Sequence, residues 1–281
     1  MPNFMPVRNR PWISSAAIAA ALRSVHHPRM TKIHTPGLFD SRDDAAPPTR
    51  VAFDIEIANV IELAPGEDLE AHGPFDISCA AAVDDRGKTR HWYTKDEHGE
   101  PGPKLSASGA REMLQWLREQ QLAGVKVYAW NGLSFDVRWL GHVAEDMQLA
   151  KEIALELYDP MFQFVCQRGF PVSLANVAEG LGLTEKKLMS GEQAPIEWAR
   201  GNRQLVLDYV AGDCRLTEAV VARIVAQREI RWKTKKGTFS SEPMPALRSV
   251  RQALAIPLPD TSWMREPLRR EKFYAWCGDV R

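Results

Sequence analysis

The chain has few cysteines, and no two of them are close together in the sequence. Its 281 residues include four, with no C-x-x-C pair among them: Cys79, Cys166, Cys214 and Cys277. This scarcity argues against a zinc knuckle and against the disulfide scaffold of a small secreted protein. No apolar run approaches the ~18 residues that a membrane-spanning helix needs. We therefore expect a reducing, cytoplasmic location in a bacterial or phage-like context, without membrane association.

Acidic residues are missing from the start of the chain. None precedes Asp40, whereas basic residues outnumber acidic ones by 7 to 3 over residues 1–50. Three interpretations of residues 1–49 remain open. The first is a disordered basic arm. The second is a start codon assigned too early, with Met30 as the true first residue, and the third is a mitochondrial transit peptide. We favour the first two and treat residues 1–49 as a leader.

The formal net charge is zero, but the two signs are unevenly distributed. Basic residues outnumber acidic ones by 12 to 6 over residues 228–281, whereas acidic residues prevail by 27 to 17 over residues 51–227. An acidic centre between basic ends suits a metal-dependent enzyme that acts on a polyanion. It equally suits a protein with solvated basic tails.

The most informative stretch is Arg50–Val60, which alternates between apolar and other residues as a β-strand does. Asp54 and Glu56 fall on one face, about 7 Å apart along the strand. A buried carboxylate is costly unless it is paired, hydrogen-bonded or bound to metal. If this strand is central in a sheet, the two acids are expected to share a cation. The alternative is an edge strand on which both are merely solvated.

The remaining segments predict strands followed by helices that alternate with a strand, which indicates an α/β fold built on one mixed β-sheet flanked by helices. The long helix is expected to bury an apolar row from Leu205 to Ile224. The predicted elements are strands at 75–83, 89–94 and 125–130, helices near 106–120, 135–143, 173–181, 202–227 and 245–254, a short strand or helix at 155–168, and a hairpin at 230–239.

Two later segments carry further candidate acids. Asp136 follows the end of a predicted strand, where sites of α/β proteins gather; an exposed acid in the first turn of a helix is the alternative. Tyr209 and Asp213 are four residues apart and therefore lie on one face of the long helix. That spacing is also common by chance.

Taken in order, these three segments resemble the exonuclease motifs of the DEDD superfamily of 3′–5′ exonucleases. Tyr209 stands four residues before Asp213, which is similar to the tyrosine branch; the histidine branch has His five residues before, where this chain has Asp208. Two further stretches, Tyr128–Asp136 and Ser173–Ala178, are most similar to the exonuclease domain of family B DNA polymerases. The resemblance covers roughly residues 50–230.

The resemblance implies a ribonuclease H-like catalytic domain at 50–230 and a basic C-terminal extension at 231–281 packed on or beside it. It implies two divalent ions, Mg²⁺ or Mn²⁺, held by carboxylates. Asp54 would bridge both ions, Glu56 and Asp213 would complete the first, and Asp136 would hold the second. Tyr209 would orient the attacking water. Asn131 and Phe135 are candidates for binding the terminal nucleotide, and equally for a turn former and a core aromatic.

We therefore expect a 3′–5′ exonuclease that hydrolyses single-stranded DNA from its 3′ end, in repair or phage-like DNA metabolism. Only about 50 residues follow the long helix that carries the last motif, so we expect an exonuclease that stands alone, without a polymerase. Two alternatives remain: a 3′–5′ exoribonuclease of the same fold, and a nucleic-acid-binding subunit without catalysis. Protein partners and oligomeric state do not follow from the sequence.

Overall fold

The structure is a computed structural model, and it describes residues 47–64, 66–184 and 188–280. The predictions for the leader therefore lie almost entirely outside the described residues. No helix in the described part is long and apolar enough to cross a bilayer.

The centre of the fold is a four-stranded mixed sheet. Its strands are β1 (Arg50–Ile57), β2 (Ile77–Asp84), β3 (Thr89–Trp92) and β4 (Lys126–Tyr128), in the order β3-β2-β1-β4. Strand β1 pairs antiparallel with β2 and parallel with β4, so it is an interior strand, as predicted. This mixed sheet flanked by helices confirms the predicted α/β class and is consistent with a ribonuclease H-like fold.

Helices and a separate hairpin complete the described part of the chain. The helices are α1 (Ala107–Leu122), α2 (Asp136–Ala144), α3 (Met147–Glu156), α4 (Pro160–Arg168), α5 (Leu174–Gly180), α6 (Ala194–Ala199), α7 (Arg203–Gln227), α8 (Val250–Leu254) and α9 (Glu271–Tyr274). The hairpin pairs β5 (Glu229–Lys233) with β6 (Phe239–Pro243), close to the predicted span. Helices α3, α6 and α9 have no counterpart among the predicted elements.

The two faces of the sheet bury different sets of side chains. Phe53 and Ile55 belong to the main apolar core, together with Leu114 and Leu117 of α1. On the opposite face β2 presents small residues to α7, and the Cys214 thiol of that helix donates to the Ala81 carbonyl at 3.3 Å. Small side chains let α7 approach the sheet closely, which brings its polar residues next to β1.

The long helix α7 follows the prediction with one exception. Val206, Val210 and Ile224 are fully buried, but Leu205 is 42% exposed, so its place in the buried row was wrong. Leu205 stands about 100° around the helix from Val206 and thus lies off the Val206–Val210 row.

One close approach fixes the hairpin against α5. A Cβ atom on Gly180 would lie 2.4 Å from the carbonyl oxygen of Arg231 in β5. Only glycine fits at this crossing, because any side chain would push the helix away from the strand.

Candidate metal centre

Strand β1 presents Asp54 and Glu56 to the face covered by α7. In the antiparallel register Asp54 is opposite Ala81 and Glu56 is opposite Cys79, and opposed residues point to the same face. Their small neighbours leave room beside the carboxylates. A β-bulge follows directly, because the register shifts between Glu56 and Ile57. Such irregularities are common next to functional sites, where they redirect side chains.

Helix α7 supplies the third carboxylate. One ligand oxygen each from Asp54, Glu56 and Asp213 lies within 4.8 Å of the other two. Glu56 is 7% exposed and Asp213 is 6% exposed, and Asp54 is half-buried. Three acids packed this tightly away from water repel each other, and a bound cation offsets that repulsion. This carboxylate triad therefore fits a divalent metal ion, for which carboxylate oxygen is the usual protein ligand.

Asp136 joins this group from the N-terminus of α2. Its side chain is 3% exposed, accepts a hydrogen bond from the Ile55 backbone N–H at 3.1 Å, and is hydrogen-bonded to Asp54. Burial raises the pKa of Asp136 well above that of a solvated aspartate. The interpretation of Asp136 as an exposed first-turn acid is therefore excluded. Asp136 contacts the triad through Asp54 and does not belong to it.

Tyr209 lies one helical turn before Asp213 and is hydrogen-bonded to it. The side chain is 2% exposed. Burial raises the pKa of Tyr209, and the nearby charges of Glu56 and Asp213 raise it further, so the phenol is neutral at any ordinary pH. A Cβ atom on Gly191 would lie 4.0 Å from the Tyr209 hydroxyl, so the turn before α6 runs close to it.

Two buried thiols adjoin the carboxylates but do not compete with them as ligands. Burial, together with the nearby acidic groups, raises the pKa of Cys79 and of Cys214. Neither thiol belongs to the group of ligand atoms that lie within 4.8 Å of one another, which consists of carboxylate oxygen alone. Carboxylate oxygen is the ligand that hard divalent cations prefer.

The two predicted substrate-binding residues, Asn131 and Phe135, both precede Asp136 in the sequence and lie in different environments. Asn131 adopts a left-handed backbone conformation with φ of 68°, a conformation that asparagine tolerates better than most residues. It is half-exposed and lines a surface cavity. The ring of Phe135 lies 5.7 Å from that of Phe75 and packs against the main core. Asn131 is thus accessible to a ligand, whereas Phe135 is largely committed to packing.

Asp159 is a buried carboxylate that the sequence predictions missed. It is 2% exposed and caps α4. Three backbone N–H groups donate to it at 3.0–3.2 Å: those of Asn131, Leu133 and Phe162. It therefore ties the Asn131–Leu133 turn to the start of α4. The pair Asp159-Pro160 is a typical helix start, with a capping acid before proline, and could have revealed it.

Together, the fold and the site define an α/β protein with a buried carboxylate triad at the centre of its sheet, suited to a divalent cation. No protein-family model and no curated protein matches the chain. Among solved structures it is similar to the family B DNA polymerase from the hyperthermophilic archaeon Pyrobaculum calidifontis, with 15% identity and a TM-score of 0.42. The match covers 63% of this chain and only 24% of that polymerase. A likeness at this level says nothing about activity.

Proposed function

We propose that this chain is a metal-dependent 3′–5′ exonuclease that removes nucleotides from the 3′ end of single-stranded DNA. One observation carries the proposal. Five residues that match the exonuclease motifs in order along the sequence also converge on one buried site, although up to 159 positions separate them: Asp54, Glu56, Asp136, Tyr209 and Asp213. Within the proposal, residues 50–230 are the catalytic domain and 231–281 an extension.

The carboxylates have distinct tasks in this proposal. Asp54 belongs to the triad and is hydrogen-bonded to Asp136, so it would contribute a ligand to both of two ions, and Glu56 and Asp213 would complete the first site. Asp136 would hold the second ion. When bound, two divalent ions activate water and stabilise the negative charge that develops on the leaving 3′ oxygen.

Tyr209 has a positioning role. Because its phenol is neutral and hydrogen-bonded to Asp213, it can hold a water molecule in the orientation required for attack on phosphorus without itself removing the proton. Asn131, held in the turn that Asp159 anchors, is the candidate contact to the terminal nucleotide.

The proposal is tested with two 5′-labelled single strands of equal sequence, one DNA and one RNA, each incubated with Mg²⁺ or Mn²⁺. We expect a ladder that shortens from the 3′ end of DNA and disappears with Asp54→Ala. The control is Asp208→Ala, which removes an exposed acid from α7 and should leave the ladder intact. Shortening of RNA alone would establish an exoribonuclease. If neither polymer is shortened with either metal, catalysis is ruled out in favour of binding.

A further inference from the structure

A cavity of about 470 Å³ lies beside the turn that leads into Asp136. Its volume is within the range of sites that bind small molecules. Five parts of the chain line it: the segment at residues 68–70, the turn after β4, Met161 of α4, the segment before α5, and the C-terminal segment around α9. The lining includes Glu70, Trp130, Asn131, Ser134, Lys272 and Phe273.

The cavity adjoins the candidate metal centre through a continuous, rigid turn. Asn131 and Ser134 line the cavity, and Asp136 follows two residues later on the same turn. The Trp130 indole N–H donates to the Val172 carbonyl at 3.1 Å and so attaches the start of this turn to the segment before α5. This anchored turn therefore carries both a wall of the cavity and, two residues later, the carboxylate that contacts Asp54.

The C-terminal wall of the cavity is firmly attached to the same turn. The Trp276 indole N–H donates to the Leu133 carbonyl at 2.9 Å. Phe273, which is 8% exposed, packs on Phe162 of α4 with 5.8 Å between ring centroids. These contacts hold Lys272, the neighbour of Phe273, at the rim of the cavity.

The cavity lining carries two acids, Asp68 and Glu70, and one lysine, Lys272. The Glu70 carboxylate accepts from the Ser134 hydroxyl at 2.8 Å and pairs with Arg138 at 3.0 Å, so its charge is already offset. The Asp68 carboxylate accepts from the Glu70 backbone N–H at 3.1 Å. Lys272 is exposed and, among the residues that the structure describes, is the one basic side chain in the lining. None of the ion pairs found within the described part of the chain includes it. The indole of Trp130 and the ring of Phe273 add aromatic surface.

We propose that this cavity binds a nucleotide of the substrate strand on the 5′ side of the terminal one, with Lys272 on its phosphate and the aromatic surface against its base. This inference rests on the proposed function and deepens it, because it makes the C-terminal segment part of the substrate site. A phosphate-binding lysine and an aromatic platform are the two elements by which proteins hold single strands without reading their sequence.

The first test measures binding without turnover. Fluorescence anisotropy with a 5′-labelled hexathymidylate is recorded in EDTA, on the Asp54→Asn background. Lys272→Ala should raise Kd about tenfold and lower the slope of log Kd against log salt by about 0.7. Lys272→Arg should stay within about twofold. The control is Lys88→Ala. Lys88 is an exposed lysine in the turn that follows Asp84, and Asp84 pairs with Val51 at the end of β1 that is farther from Glu56. Equal Kd values for the Lys272→Ala and Lys88→Ala proteins would overturn the proposal.

The second test separates this subsite from the metal centre. The p-nitrophenyl ester of thymidine 5′-monophosphate has no second nucleotide, so Lys272→Ala should leave its hydrolysis unchanged while raising KM for hexathymidylate about tenfold without changing kcat. If Lys272→Ala slowed the hydrolysis of both substrates equally, the proposed subsite would be refuted. If the unsubstituted protein cleaves neither, the exonuclease proposal fails, while the binding measurement still decides whether Lys272 contacts the strand.

Discussion

Replacing Asp54 by asparagine should make the metal-free protein more stable. The triad oxygens lie within 4.8 Å of one another. Two unit charges at that distance repel by about 3 kcal/mol at an effective dielectric constant of 20, and by about 1 kcal/mol in water. The substituted amide would relieve repulsion with both Glu56 and Asp213 while keeping nearly the same shape and an oxygen for the hydrogen bond with Asp136. We expect a net gain of about 2 kcal/mol in the free energy of unfolding.

The assay is thermal unfolding in EDTA and in saturating Mg²⁺ or Mn²⁺. A gain of about 2 kcal/mol corresponds to about 4–8 °C in Tm for a unit of this size. Metal at a hundred times its Kd should stabilise the unsubstituted protein by about 2.7 kcal/mol, and the asparagine variant by much less. Asp208→Asn removes an exposed acid from α7 and should behave as the unsubstituted protein in both conditions.

Two results would refute this reasoning. A lower Tm for Asp54→Asn in EDTA would show that the carboxylate stabilises the fold, and therefore that the triad is not held together against repulsion. Equal stabilisation of both proteins by metal would place the cation elsewhere.

Three further predictions concern Tyr209, Asp159 and Gly180. In the proposed mechanism the Tyr209 hydroxyl positions water and holds no ion. Tyr209→Phe should therefore lower kcat on single-stranded DNA about tenfold to a hundredfold while leaving the metal-induced rise in Tm unchanged. Loss of that rise would contradict the assignment. Burial raises the pKa of Asp159 to about 6, so between about pH 4 and pH 6 the folded state binds more protons than the unfolded one. The contribution of Asp159 to the free energy of unfolding should therefore fall by about 3 kcal/mol as pH rises through that range. Denaturant titrations of Asp159→Asn at several pH values should lack this fall. Parallel pH profiles for the variant and the unsubstituted protein would show that Asp159 does not titrate there. Gly180→Ala places a Cβ atom 2.4 Å from a backbone carbonyl and should cost about 1–3 kcal/mol in urea unfolding, and an unchanged midpoint would mean that α5 and β5 are not packed as described.

Much of the secondary structure follows from local patterns in the sequence, whereas the grouping of the candidate residues into one site comes from the resemblance to the exonuclease motifs. The alternation around Asp54 and Glu56 predicts a strand with two acids on one face, and the spacing of Tyr209 and Asp213 predicts one helical face. Periodicity is a property of neighbouring residues, so a single sequence displays it directly. An interior position for β1 is expected if Asp54 and Glu56 share a metal site with Asp136 and Asp213. The strand order confirms that position.

Which faces meet was decided only by the tertiary structure. Nothing local indicates that Asp159 anchors the Asn131 turn or that Trp276 places Lys272 beside it, because these contacts join residues up to 143 positions apart. Helical spacing likewise says that Tyr209 and Asp213 share a face, but not that small residues of β2 let that face approach Asp54 and Glu56. Local pattern determines the direction in which a side chain leaves its own element. The packing of elements determines what it meets, since that depends on volumes and hydrogen bonds contributed by distant parts of the chain.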